Sequence, residues 1–79
     1  AQRRYADADE AFGRALRIAR ARGHALNEAE TLRDRMAARL GQGDVVAALA
    51  DGRAAIALFD RLGATRERDA LARRIASVR

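Results

Sequence analysis

The chain has 79 residues, 49% hydrophobic and 34% charged, with a formal net charge of +5. That length supports one small domain, and such a domain buries only about 60% of the surface its unfolded form exposes. No stretch approaches the roughly 18 uninterrupted apolar residues of a membrane span, and the absence of cysteine excludes a disulfide or thiolate-metal scaffold.

Of 39 hydrophobic residues 21 are alanine, which leaves 18 larger apolar side chains for a core. All 16 basic residues are arginine. Alanine, arginine and glycine fill more than half the chain, a bias that a genome rich in G and C also produces, so arginine content alone is no argument for recognition. Mixed charge signs and periodic apolar residues favour a folded helical domain over disorder. With no leader-like apolar segment and no lipidation motif, a cytoplasmic address is expected. The start at Ala1 without methionine suggests a fragment or a processed product.

Four helices are predicted. Residues 3–22 carry Tyr5, Ala8, Phe12, Ala15, Leu16 and Ala19 at three- and four-residue spacing, one apolar helical face. Gly23 stops that helix. Asn27, with Glu30 three residues later, predicts a capping box opening a second helix at 27–41, whose stripe is Ala29, Leu32, Met36 and Leu40. Gly41-Gln42-Gly43 reads as a tight turn and Asp44 as the N-cap of a third helix, 44–62. That helix presents Val45, Ala48, Leu49, Ala55, Ile56, Phe59 and Leu62. Gly63 ends it, Thr65 is the expected cap, and a shorter helix runs over 66–78 through Leu71, Ile75 and Val78. Short loops make neighbouring helices antiparallel, so the predicted fold class is all-α.

A shift of 40 pairs Ala8 with Ala48, Ala15 with Ala55, Leu16 with Ile56, Ile18 with Leu58 and Gly23 with Gly63. A shift of 39 pairs Leu32 with Leu71 and Met36 with Ile75. What recurs is residue class and helix length rather than identity.

The run from Tyr5 through Ala8, Phe12, Ala15 and Leu16 to Ile18 resembles the second helix of a tetratricopeptide repeat. Gly43-Asp44-Val45 with Ala48 resembles that family's turn between its two helices, and Ala55-Ile56 through Leu58-Phe59 to Leu62-Gly63 resembles the tail of a second helix. The 40-residue spacing is similar to degenerate variants in large bacterial regulators and signal-transduction ATPases. This resemblance covers nearly the whole chain. It implies antiparallel helix pairs stacked as an array, the chain being a piece of a longer one, with a four-helix bundle as the alternative. Three positions depart from the family pattern: Arg35 and Arg39 stand where leucine and tyrosine are usual, and Gly52 stands where Phe12 leads one to expect an aromatic; the family's customary proline after the second helix is also missing.

Catalysis finds little support in the residues. His24 sits in a predicted loop, Ser77 has no evident base, and Asp7 with Asp9, or Glu28 with Glu30, fall on different azimuths of a helix. No enzyme activity, metal or cofactor is expected, and Gly41-Gln42-Gly43 lacks the length and lysine of a phosphate loop. A nucleic-acid binder is the weakest reading. Residues 1–22 and 64–79 each sum to +3 and the middle to −1, but Arg3, Arg14 and Arg17 share their face with Asp7 and Glu10. Glu10 with Arg14, and Asp69 with Arg73, are in the favourable order for intrahelical pairs. No aromatic set for base stacking is present.

The two long helices differ. Residues 3–22 hold nine charged side chains and residues 44–62 hold five. Opposite its main stripe, the third helix shows Val46, Ala50, Ala54 and Ala57, a candidate packing or self-association face against further repeats, a second copy or a partner chain. The family resemblance implies a concave groove lined by Glu30, Arg33, Asp34 and Ala37 from the second helix and by Asp69, Ala72, Arg73 and Ala76 from the fourth. The expected function is therefore a protein–protein interaction or scaffold module for a protein or peptide partner. A small self-associating helical bundle is the competing reading.

Overall fold

A computed structural model describes residues 2–78, with side chains from Tyr5 onward. The described residues form four α-helices: α1 (Gln2–Arg22), α2 (Ala25–Gln42), α3 (Val45–Arg61) and α4 (Thr65–Ala76). None is long and apolar enough to cross a membrane. The all-helical expectation and the order of the elements hold, and the boundaries differ for an identifiable reason.

All three junctions use one device. Gly23, Gly43 and Gly63 each take a positive φ, of 68°, 84° and 71°, which lets the chain reverse without a Cβ clash. In each, the glycine N–H donates to the carbonyl three residues back: Arg20, Leu40 and Asp60. The next N–H donates to the carbonyl five back: His24 to Ala19, Asp44 to Arg39, and Ala64 to Phe59. These are the paired bonds of a Schellman stop. The residue after each glycine is already the N-cap of the next helix.

The compact turn corrects three expectations. α2 opens at Ala25 with His24 as N-cap and no side-chain cap bond, so Asn27 lies inside the first turn, where its carbonyl accepts from Thr31 Oγ1 at 2.7 Å. Gly41 and Gln42 complete α2 rather than forming a turn. Ala64, not Thr65, caps α4. Asp44 does cap α3 as expected, its side chain accepting from the Ala47 N–H at 3.3 Å. The glycine stops recur every 20 residues, a period half of the one read from side-chain classes.

Packing is sequential: α1 lies against α2, α2 against α3, and α3 against α4, with the α2–α3 interface the most extensive. The Cα trace occupies a slab of 37 × 33 × 15 Å. The core gathers Leu16 from α1, Ala29, Leu32 and Met36 from α2, Ala48, Ala55 and Phe59 from α3, and Leu71 from α4. Phe59 and Met36 are its largest fully buried side chains. Ala29, Ala48 and Ala55 are completely buried, and their small size lets helix axes approach closely enough to interlock the few large residues.

The predicted stripes are thus correct at their centres and fray at their ends. Leu62, expected in the core, is 45% exposed at the C-cap of α3. Tyr5 is also partly exposed, at 37%, its hydroxyl donating to the Gly41 carbonyl at 3.2 Å.

Candidate functional site

The three positions that depart from the repeat pattern lie on the α2–α3 side of the molecule. Asp51, on α3, is buried, and such a carboxylate is costly unless paired. Arg35 forks onto it with Nε at 2.9 Å and Nη2 at 2.8 Å, and Arg39 adds Nη1 at 3.1 Å. Arg35 and Arg39 are one helical turn apart on α2, so both reach the same partner. Beside Asp51, Gly52 is buried, and a Cβ there would lie 2.6 Å from both Met36 Sδ and Ile75 Cδ1. The missing side chain is what lets α2 and α4 close over α3. These residues are structural: a charge clamp and a helix crossing.

Above that crossing, α2 and α4 leave a groove of about 270 Å³. Its floor is Leu71, nearly fully buried, with Ala70 beside it. Its rim carries Arg33 from α2 and Arg66, Glu67 and Arg74 from α4. Arg33 Nε approaches Asp34 at 3.5 Å, and Asp34 is itself exposed. Among the described residues Arg66 and Arg74 have no carboxylate within ion-pair distance.

Of the groove residues implied by the family resemblance, Arg33 lines this groove. Glu30 and Ala37 are half-buried on α2. On α4, Asp69, Ala72, Arg73 and Ala76 are not in the lining. Leu71 and Ile75 set the rotation of α4 by packing on the core, which turns Arg66, Ala70 and Arg74 toward α2. Asp69 accepts from Arg68 Nε at 3.1 Å instead of pairing with Arg73. Arg68 also reaches Asp60 across the last junction, and hydrogen bonds to Asp60 and then Asp69 hold its guanidinium further toward the charged form than usual. Arg66 and Arg74 carried no signal of their own in a sequence with 16 arginines. Their one legible feature is the eight-residue spacing that puts them on one helix face.

Elsewhere on the molecule, Val46 is 84% exposed, and Ala50, Ala54 and Ala57 are exposed with it along the outside of α3. A second hollow of about 430 Å³ lies between α1 and α2, with Ile18, Arg22 and His24 on its edge. His24 is exposed at the first junction, and Ser77 Oγ donates to the Arg74 carbonyl at 2.7 Å. Glu10 and Arg14 form the expected pair on α1 at 3.4 Å. Glu28 accepts from Arg20 at 2.9 Å, linking α2 to α1. Asp7 and Arg17 are exposed, and the side chain of Arg3 lies outside the described residues.

Compared with protein-family models, with curated proteins and with solved structures, the chain matches none of them.

Proposed function

We propose that this chain is a tetratricopeptide-like helical array acting as a protein–protein interaction or scaffold module, working by docking rather than by covalent chemistry. The observation that carries the reading is the groove between α2 and α4, where two non-consecutive helices bridge over α3 and leave an apolar floor with a polar rim. Such a surface suits a segment of a partner protein, with apolar contact supplying affinity and rim charges supplying register. Sequential packing supports it as well, since an array of helix pairs buries each helix against its chain neighbours.

Site-directed photo-crosslinking tests the reading. A photo-reactive residue replacing Ala70, exposed in the groove lining, is expected to give discrete protein adducts in a lysate of the cells that make this chain. The same residue replacing Ala11, exposed on α1, serves as the control. Adducts equally abundant from Ala11, or none from Ala70, would refute docking at the groove.

Exposure along the outside of α3 favours a second reading, self-association. Val46, Ala50, Ala54 and Ala57 line the outside of α3 with small side chains that permit close helix approach, with exposed Arg53 as the charge among them. An adduct of twice the chain mass from position 46 would support it.

A further inference from the structure

We infer that the α2–α4 groove takes an extended acidic segment in which two carboxylates flank one apolar side chain, the pattern Glu-x-Leu-x-Glu or its aspartate equivalent. This rests on the proposed docking role and adds the chemistry of the partner. Arg66 and Arg74 are eight residues apart on α4, which sets their backbone positions about 12 Å apart along the helix axis. Ala70 lies midway between them, and Leu71 forms the floor beside it. The groove therefore presents a cation, an apolar centre and a second cation in a line, with Arg33 on the opposite wall.

In an extended peptide, side chains at positions 1, 3 and 5 share a face, and the first and fifth are about 13 Å apart. That spacing is close to the roughly 12 Å between the backbone positions of Arg66 and Arg74, so each flexible guanidinium can reach one carboxylate while an apolar residue between them meets the exposed Ala70. Charge supports the same occupant. Arg33 on the rim is paired with Asp34, so the positive excess comes from Arg66 and Arg74, which have no ion-pair partner among the described residues and face one rim glutamate, Glu67. Guanidinium binds carboxylate in a bidentate fork that adds geometry to charge. Glu67 on the same rim disfavours a uniformly anionic ligand and sets register by repulsion.

The test is fluorescence anisotropy of the 79-residue chain with a labelled peptide of core Glu-Ser-Leu-Ser-Glu in glycine–serine flanks. Binding is expected at low salt, weakening as salt screens the exposed pairs. The double variant Arg66→Gln, Arg74→Gln is expected to weaken it by about tenfold or more. Replacing both glutamates of the probe by glutamine should do the same, and moving leucine one position along should weaken it by several-fold.

The control Arg17→Gln, Arg22→Gln removes equal charge from exposed sites on α1 and should leave affinity unchanged. Circular dichroism confirms that each variant is helical. Equal loss in the α1 control, or undiminished competition by single-stranded DNA of the same charge, would show a non-specific polyanion effect and overturn the proposal. Absence of peptide binding would also overturn it. Photo-crosslinks from Ala70 would then still stand for docking with a partner of other chemistry.

Discussion

Replacing Gly52 by alanine puts two forces in opposition. Alanine is favoured over glycine in a helix interior by about 1 kcal/mol, so propensity alone stabilises the variant. The new Cβ would lie 2.6 Å from Met36 Sδ and from Ile75 Cδ1, and 3.2 Å from Ile75 Cγ1. Ordinary carbon contacts begin near about 3.5 Å, so both neighbours must retreat by roughly 1 Å. Ile75 is half-buried and can swing its terminal methyl aside, whereas Met36 is fully buried and its sulfur is enclosed. Overpacking of this kind costs about 1–3 kcal/mol. The net expectation is destabilisation by about 1 kcal/mol, a drop of up to about 1 M in the urea midpoint for a chain of this size.

Gly41→Ala makes the matched comparison. It is also helical, with nothing within 4 Å of its would-be Cβ and no positive φ. It should raise stability by about 0.5 kcal/mol, less than the full propensity gain because it lies in the last turn of α2. Both variants are read by urea unfolding followed by circular dichroism. Adding Ile75→Val to Gly52→Ala removes one clashing methyl, and a coupling of at least about 0.5 kcal/mol is expected in the cycle. A Gly52→Ala protein as stabilised as Gly41→Ala would refute the helix crossing described here.

Three further outcomes follow from the same structure. Asp51→Ala leaves Arg35 and Arg39 unpaired, with side chains only 19% and 23% exposed, and should cost about 2–3 kcal/mol, below the value for a dry pair because both arginines keep some water. Arg39→Ala should cost clearly less in the same denaturant titration, since the Arg35 fork remains; equal losses would contradict the geometry. Asp44→Ala removes the side-chain cap of α3 and should lower stability by about 1 kcal/mol, whereas Thr65→Ala should cost less, having no cap bond to lose. Ala54→Arg should leave thermal stability unchanged in a monomer, while sedimentation of a self-associating chain would show the oligomer disrupted; an unchanged mass and stability would sink the α3 self-association reading.

Local chemistry determined much of this protein in advance. Helix number, the buried stripes through Leu32, Met36, Phe59 and Leu71, the glycine stops and the Asp44 cap all depend on residues a few positions apart. Their periodicity and backbone constraints are therefore readable without tertiary structure. Asn27 misled because a capping-box pattern gives no weight to a Schellman stop that leaves a single residue between Gly23 and the next helix.

Tertiary structure alone decided the rest. Arg35 and Arg39 read as departures until Asp51 comes to lie opposite them, and Gly52 reads as a gap until Met36 and Ile75 occupy the space above it. The groove face of α4 falls about one residue away in register from the one that the family resemblance implied, a rotation of roughly 100° around the helix. Leu71 and Ile75 set that rotation by seating against the core; their spacing is legible in the sequence, but which neighbour the adjoining face of α4 meets is decided only by the tertiary packing.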